Sequence, residues 1–381
     1  MSVWGPLEAS PVIAGVARQI AAGEVAHAWL LLGPAGAGKR PAAAAMAAAL
    51  QCSVEPGVGC GTCSTCLRIL RHRHPDVHHI VPEGPLIPVD VIRELVLPEA
   101  ARSPFEARTK VFVIEEAERM NPAAQNALLK TLEEPLPDTV FVLISDREDE
   151  LLETIRSRCR VVRLEPVPEQ RIVELLERQG VTAHDALVAA RVAGGDLERA
   201  LTVALDDAAR DRRTLWLSIP RKLLSPVDAL DAAAEILDEV RRGVKALEVH
   251  QKDEAQELAD VIGERRGTAA ARNALAKKHK RELKRKEEEL LGEALQTIAS
   301  FYRDVIALRS GGAEAVVNID TMAELETWTG AEVDDAALLR ACERCIEARS
   351  SFISNANLTL AIEATLVEIA HLVPADARVR S

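Results

Sequence analysis

The chain has 381 residues, which is enough for two or three domains of ordinary size. Lysine and arginine total 47 against 59 aspartates and glutamates, and the formal net charge of −12 argues against a protein drawn onto nucleic acid or an anionic membrane by its overall charge. Aromatic residues make up only 3%, which favours a helix-rich fold. No apolar run is long enough to span a membrane, and the first residues lack a basic segment followed by an apolar stretch, so we expect a cytoplasmic protein.

A glycine-rich motif follows the first apolar run. Residues 27–33 read HAWLLLG, which predicts a buried strand, and residues 33–40 read GPAGAGKR ahead of an alanine-rich helix. This order of strand, turn and helix is the setting of a P-loop, in which backbone N–H groups hold phosphates and a lysine reaches the outer ones. A glycine-rich turn without a ligand is the alternative. The candidate nucleotide-binding residues are Gly33, Gly36, Gly38 and Lys39.

Two positions depart from a catalytic P-loop. Arg40 stands where Ser or Thr is needed to bind Mg²⁺, and a guanidinium has no lone pair to offer a cation. The apolar run 110–114 ends in Glu115-Glu116 where the catalytic order is Asp-Glu, and the longer side chain misplaces the carboxylate for octahedral Mg²⁺. We therefore expect no intrinsic ATPase activity, while nucleotide binding by the loop stays open.

Strands and helices continue to alternate up to residue 166. Residues 139–145 and 160–164 read as strands, and a helix runs from about residue 118, with Asn121 as a capping residue, to Pro135. Such alternation predicts an α/β fold with a mostly parallel sheet flanked by helices, over residues 1–166.

Four cysteines are clustered in residues 52–66 in the spacing C-x7-C-x2-C-x2-C. The cluster is Cys52, Cys60, Cys63 and Cys66. Structural disulfides are rare in a reducing compartment, so this spacing favours a metal site. Four thiolates form a closed tetrahedral site that suits structural Zn²⁺, with an iron–sulfur cluster as the competing interpretation.

The second half is mainly helical. Residues 167–206 predict a compact helical unit, and its segment 194–201 resembles the lid of AAA+ proteins. The resemblance implies that Glu198 stands where such lids place an arginine on the nucleotide phosphates, so a carboxylate there would repel the ligand. Residues 207–381 predict an all-α domain, with a highly charged segment at 251–291 that reads as a solvated helix or as a basic arm. Cys342 and Cys345 lie at helical spacing among apolar residues and read as core positions.

Four features together resemble the delta-prime subunits of the bacterial DNA polymerase III clamp loader, within the AAA+ superfamily. They are the HAWL strand at 27–30, the four-cysteine insertion, the helix at 118–135 and the triplet Ser157-Arg158-Cys159. The resemblance extends strongly over about the first 200 residues. It implies zinc at the insertion, an oligomerising helical collar at 207–381, and an arginine finger at Arg158 that acts in trans on the ATP site of a neighbouring subunit.

The resemblance implies a non-motor subunit that supports ATP-dependent loading of the sliding clamp onto primed DNA, as part of the DNA polymerase III holoenzyme. Its implied partners are the tau/gamma and delta subunits, with the clamp and DNA reached through the complex. Two alternatives stay open: an ATP-hydrolysing motor subunit of the tau/gamma type, and a free-standing zinc-stabilised DNA-binding protein. The motor would need Ser or Thr in place of Arg40 and Asp in place of Glu115.

Overall fold

The computed structural model describes residues 2–82, 84, 86–134, 137–262, 268–352 and 357–374. Pro135, at the end of the predicted helix, and residues 263–267 of the charged segment lie outside them. The chain forms two compact units, Met1–Leu205 and Asp206–Ser381. Among the described helices, none combines the length and apolar character that a membrane span requires.

The first unit is built on a five-stranded parallel sheet with the order β2-β3-β4-β1-β5. The strands are β1 (Ala28–Leu32), β2 (Val77–Ile80), β3 (Lys110–Ile114), β4 (Thr139–Ser145) and β5 (Arg160–Arg163). Strands β1, β3 and β4 are buried throughout their length, as expected for continuous apolar runs in a sheet covered on both faces. The predicted parallel sheet flanked by helices is confirmed.

Helices cover both faces because side chains alternate along each strand. Trp29 and Leu31 pack into one core beside the first two helices, while Leu30 and Phe112 pack into another beside the helix Pro122–Glu133. The helices of this unit are α1 (Pro11–Ala21), α2 (Lys39–Gln51), α3 (Ser64–Leu70), α4 (Val89–Val91), α5 (Leu97–Ala100), α6 (Pro122–Glu133), α7 (Glu153–Arg156), α8 (Glu169–Arg178), α9 (Ala183–Ala193) and α10 (Leu197–Leu205). A π-helical turn, Ile92–Val96, joins α4 to α5.

The last three helices of the first unit form a small helical bundle with a core of its own. Thr182 caps α9 by accepting a hydrogen bond from the N–H of Asp185, and Gly194 ends that helix in the left-handed conformation. Ile172, Leu176 and Ala200 are fully buried in this core.

The second unit contains helices and connecting loops, with no strand among its described residues. Its helices are α11 (Asp207–Lys222), α12 (Pro226–Ile262), α13 (Thr268–Arg309), α14 (Met322–Thr329), α15 (Asp335–Ser351) and α16 (Leu358–Leu372). Its core includes the edge-to-face aromatic rings of Phe301, Tyr302 and Trp328. Cys342 and Cys345 are buried on α15, where the sequence places them.

Candidate functional site

The glycine-rich loop joins β1 to α2 at the carboxyl edge of the sheet. Gly38 precedes the first residue of α2 and has a φ of 78°, a left-handed conformation that glycine adopts without strain. Gly36 has a φ of 82°, and a Cβ added there would lie 2.7 Å from the Cβ of Asp196. The loop is therefore covered closely by the start of α10.

Lys39 is turned back onto its own loop and is only 6% exposed. Its Nζ donates to the carbonyl oxygens of Gly33 (2.7 Å) and Pro34 (2.6 Å), and it pairs with Asp146 Oδ1 at 2.8 Å. Asp146 directly follows β4, the neighbour of β1 in the sheet, so the topology delivers this carboxylate to the loop. These three contacts account for all three donors of the ammonium group.

Arg40 forms an ion pair with the acidic end of β3. Its Nε lies 2.6 Å from Glu115 Oε2, and its guanidinium lies 3.3 Å from Glu116 Oε1. Burial acts to lower the pKa of Arg40, but the carboxylates of Glu115 and Glu116 outweigh it and raise this pKa above its usual value. Arg40 and Glu115, the two residues that depart from the catalytic P-loop pattern, thus form an ion pair with each other. The residues present do not fit a Mg²⁺ site.

The space beside the loop is nearly closed. The cavity between the N-terminal segment, the loop and α10 has a volume of about 10 Å³, which holds one water molecule at most. Asp196 lies against Gly36, whereas Glu198, two residues further along, is exposed. The sequence thus predicts a repulsive carboxylate in this lid, but Asp196, which it does not single out, is the one placed against the loop.

The four cysteines come together in space. All four Sγ atoms lie within 4.8 Å of one another, with 3.7 Å between Cys52 and Cys60 and 3.9 Å between Cys52 and Cys63. A tetrahedral site with Zn–S bonds of about 2.3 Å requires sulfur–sulfur separations of about 3.8 Å. The cluster therefore has the dimensions of a zinc site and can hold this metal.

Backbone N–H groups surround the sulfur atoms. Those of Thr62 and Cys63, with the hydroxyl of Thr62, lower the pKa of the Cys60 thiol to about 6. Burial acts to raise the pKa of Cys52, but backbone N–H donors outweigh it and lower that pKa, whereas burial raises the pKa of Cys66. Two of the four thiols are thus predisposed to bind a metal as thiolates.

The N-terminal segment supports this cysteine module. The N–H of Val3 donates to the carbonyl oxygen of Gly59 (2.9 Å), and Trp4 Nε1 donates to that of Val58 (3.1 Å). Gly59 has a φ of 82°, and a Cβ added there would lie 2.4 Å from Val3 Cγ1. Only glycine fits at this close approach, which explains its place between the first two cysteines.

Arg158 lies in the turn between α7 and β5, and its side chain is partly exposed. One guanidinium nitrogen donates to the carbonyl oxygen of Thr154 (2.9 Å), and another contacts Glu133 Oε1 at 2.5 Å. Two contacts leave other N–H groups of the guanidinium available to a ligand. The neighbouring Cys159 thiol is partly buried, and burial raises its pKa to about 12.

Sequence comparisons relate the first unit to a replication family. Residues 9–168 match the family described as DNA polymerase III, delta subunit. A Bacillus subtilis DNA polymerase III subunit delta' is 34% identical over 188 residues, which cover 49% of this chain and 57% of that protein. A Pseudomonas aeruginosa subunit delta' is 47% identical over 137 residues, which cover 35% of this chain and 42% of that protein. The predicted resemblance to the delta-prime subunits is confirmed.

The gamma/tau subunits are relatives as well. The DNA polymerase III subunit gamma/tau of Mycobacterium tuberculosis is 30% identical over 238 residues, covering 58% of this chain and 41% of that protein. The chain spans about half the length of the curated relatives it matches. The comparisons therefore do not distinguish a delta' chain from a gamma/tau chain.

Proposed function

We propose that this chain is a non-motor delta-prime subunit of a DNA polymerase III clamp loader, and that Arg158 acts in trans on the ATP site of a neighbouring subunit. The loader would include tau/gamma and delta subunits, would load the sliding clamp onto primed DNA, and would work in the cytoplasm. Zn²⁺ would hold the module of Cys52, Cys60, Cys63 and Cys66 as a structural ion.

One observation carries this proposal: the chain's own cation site is filled by an internal ion pair, while its candidate finger is presented at the surface. Arg40 binds Glu115 and Glu116, and Lys39 is held by Asp146 and the loop itself. Arg158, in contrast, is fixed by Glu133 and Thr154 but remains accessible. An arginine suits this role because its charge is permanent and its planar fork contacts two phosphoryl oxygens.

The test is single-turnover ATP hydrolysis by the loader reconstituted with Arg158→Ala. An arginine finger contributes about 10³–10⁵ to phosphoryl-transfer rates, so hydrolysis at the neighbouring site should fall to near background and clamp loading should fall with it. Arg147→Ala is the matched control, because Arg147 is another exposed arginine of the same unit, paired with Glu150. Unchanged hydrolysis and loading in the Arg158 variant would overturn the assignment.

The motor alternative is supported by the similarity to gamma/tau. It requires a divalent cation where the guanidinium of Arg40 lies against Glu115. Turnover of ATP by the isolated chain would favour the motor. Tight, salt-sensitive DNA binding by the isolated chain would instead favour the free-standing DNA-binding protein.

A further inference from the structure

A groove lies on the first unit between α1 and β5, and no P-loop residue is among those that line it. It has a volume of about 530 Å³, within the range of sites that bind small molecules and peptide segments. Its walls are Val12, Val16 and Gln19 of α1 and Val161 of β5, and Trp29 of β1 also lines it. Val12 is 43% exposed and Val161 is 38% exposed, so the groove presents apolar surface to solvent.

One wall of the groove is an open sheet edge. β5 is the last strand of the sheet and, among the described strands, pairs with β1 alone. The N–H of Leu164 donates to the carbonyl oxygen of Leu32, so the backbone groups of alternate residues face β1, and those of Val161 and Arg163 face away from it. These groups are free to form the ladder of an added strand.

The groove also contains two buried polar atoms without a partner among the described residues. One is the indole Nε1 of Trp29, a side chain that is 0% exposed, and the other is Oε1 of Gln19. The first is a donor and the second an acceptor. Both atoms are closed to solvent and are not themselves ligand contacts, but the Trp29 ring lines the groove and so reports on its occupation.

The charge of the side chains around the groove indicates which kind of peptide it binds. The guanidinium of Arg160 lies 5.4 Å from the centre of the Trp29 ring, and no ion pair joins it to a carboxylate in the described part of the chain. Arg163, at the other end of β5, is exposed and pairs with Glu148 at 2.9 Å. Edge pairing between two copies of β5 would bring these arginines together, so the charge favours an acidic partner over a second copy.

From these features we infer that the groove between α1 and β5 binds an extended acidic segment of a partner protein. The segment adds as a sixth strand along β5, bonded to the backbone of Val161 and Arg163, with an acidic side chain on Arg160. This site is separate from the P-loop and from Arg158, and it requires neither nucleotide nor zinc.

The experiment uses the full chain and a fluorescein-labelled hexapeptide of alternating valine and glutamate, capped at both ends. Saturable binding should appear by fluorescence anisotropy at peptide or protein concentrations up to about 1 mM, equivalent to about −4 kcal/mol. In ¹⁵N-tryptophan-labelled protein, the indole N–H resonance that disappears in Trp29→Phe should shift when the peptide is added. No saturation in this range, or binding without that shift, would overturn the inference.

Gly15 provides a variant that blocks the groove and still folds. Gly15 lines the groove on α1, and a Cβ added there meets nothing within 4 Å. Gly15→Leu therefore has room for its Cβ, adds an apolar side chain to the lining of the groove and raises the helix propensity of this position. It should weaken peptide binding at least tenfold without lowering the melting temperature. Arg18→Leu, on the same helix outside the groove, is the control and should bind normally.

Two further arms test the chemistry of the ligand. Arg160→Glu should abolish binding of the glutamate peptide, and a peptide with lysine in place of glutamate should not bind the unmodified chain. A labelled oligothymidylate tests whether the groove binds nucleic acid, which is also a polyanion, instead of an acidic peptide. If Gly15→Leu abolishes oligothymidylate binding while the peptide fails to bind, the groove is a nucleic-acid site and the peptide inference is wrong. Equal binding of glutamate and lysine peptides would also contradict it.

Discussion

At the scale of single residues, the contact between Arg40 and Glu115 predicts a measurable coupling. Glu115 is 6% exposed, so Arg40→Met removes the guanidinium from a nearly buried carboxylate and should lower the free energy of unfolding by about 1–2 kcal/mol. Because the Arg40 side chain is half exposed, the effect stays below that of a fully buried pair. Urea unfolding followed by circular dichroism measures it.

The double variant Arg40→Met with Glu115→Gln should be more stable than the sum of the two single changes predicts, by about 1 kcal/mol. Arg102→Met is the control, since Arg102 makes an exposed pair with Glu99 and its loss should change stability by less than about 0.5 kcal/mol. Strict additivity in the Arg40 and Glu115 variants would show that the pair contributes nothing to folding.

Arg40 and Glu115 also show which properties of single residues can be predicted from the sequence. The identities of Arg40 and Glu115 indicate a disabled cation site, because the chemistry of each side chain is known from its type. Their assignment to one Mg²⁺ site implies that they lie close together, but the direct ion pair between them is visible only in the structure. The partners of the loop, Asp146 and Asp196, were missed for the same reason, although an aspartate directly after a buried strand next to β1 was an available signal.

At the scale of elements, the cysteine module should bind one zinc ion per chain. Cys52→Ser removes a ligand whose sulfur lies 3.7 Å and 3.9 Å from those of Cys60 and Cys63, so zinc measured by inorganic mass spectrometry should fall to near zero. Cys342→Ser is the control, because its hydroxyl can replace the hydrogen bond that Cys342 Sγ donates to Ala299 and zinc should remain. Iron with visible absorbance in the purified chain would instead identify an iron–sulfur cluster.

The edge strand β2 should lose stability in mild acid. His78 stacks on Phe112 with 4.8 Å between ring centres, and burial, followed by the charge of Lys110, lowers the pKa of its imidazole, against the weaker opposite effects of Glu99 and Asp76. A histidine whose pKa is lower in the folded state stabilises the fold fully above its unfolded pKa of about 6.5 and loses this contribution as the pH falls below it.

His78→Phe should therefore reduce the dependence of the unfolding free energy on pH between about 7 and 5, by up to about 1.4 kcal/mol per pH unit where one proton is involved. His184→Gln, at an exposed position on α9, should leave the profile unchanged. His74, whose pKa burial also lowers, should leave the His78 variant with some residual pH dependence. An unchanged slope in His78→Phe would contradict this account of β2.

The strands that the sequence predicts differ in burial and length from the one that it does not predict. β1, β3 and β4 are continuous apolar runs because helices cover both faces of the sheet, and this pattern is visible without a structure. β2 has the sequence VHHI, is only four residues long and lies at the edge, so neither apolarity nor alternation marks it. The groove beside β5 was also missed, since it depends on which strand the topology leaves unpaired.

At the scale of the whole molecule, the net charge of −12 predicts that the isolated chain does not bind primed DNA. Several basic side chains near the P-loop are already neutralised, as in the pairs of Lys39 with Asp146 and of Arg40 with Glu115. Titration of a labelled primed template with the isolated chain at low salt should show no binding at concentrations where basic proteins bind DNA non-specifically, about 1–100 µM.

The informative comparison is with the reconstituted loader, for which we expect binding to the same template that weakens as salt rises, since other subunits would supply the phosphate contacts. If the isolated chain bound tightly, with an affinity that fell steeply with salt, positive charge in the segment 251–291 would outweigh the acidic total. A negative result for the isolated chain and a positive one for the loader would fit a subunit whose contribution is made across protein interfaces, through Arg158 and the sheet edge at β5.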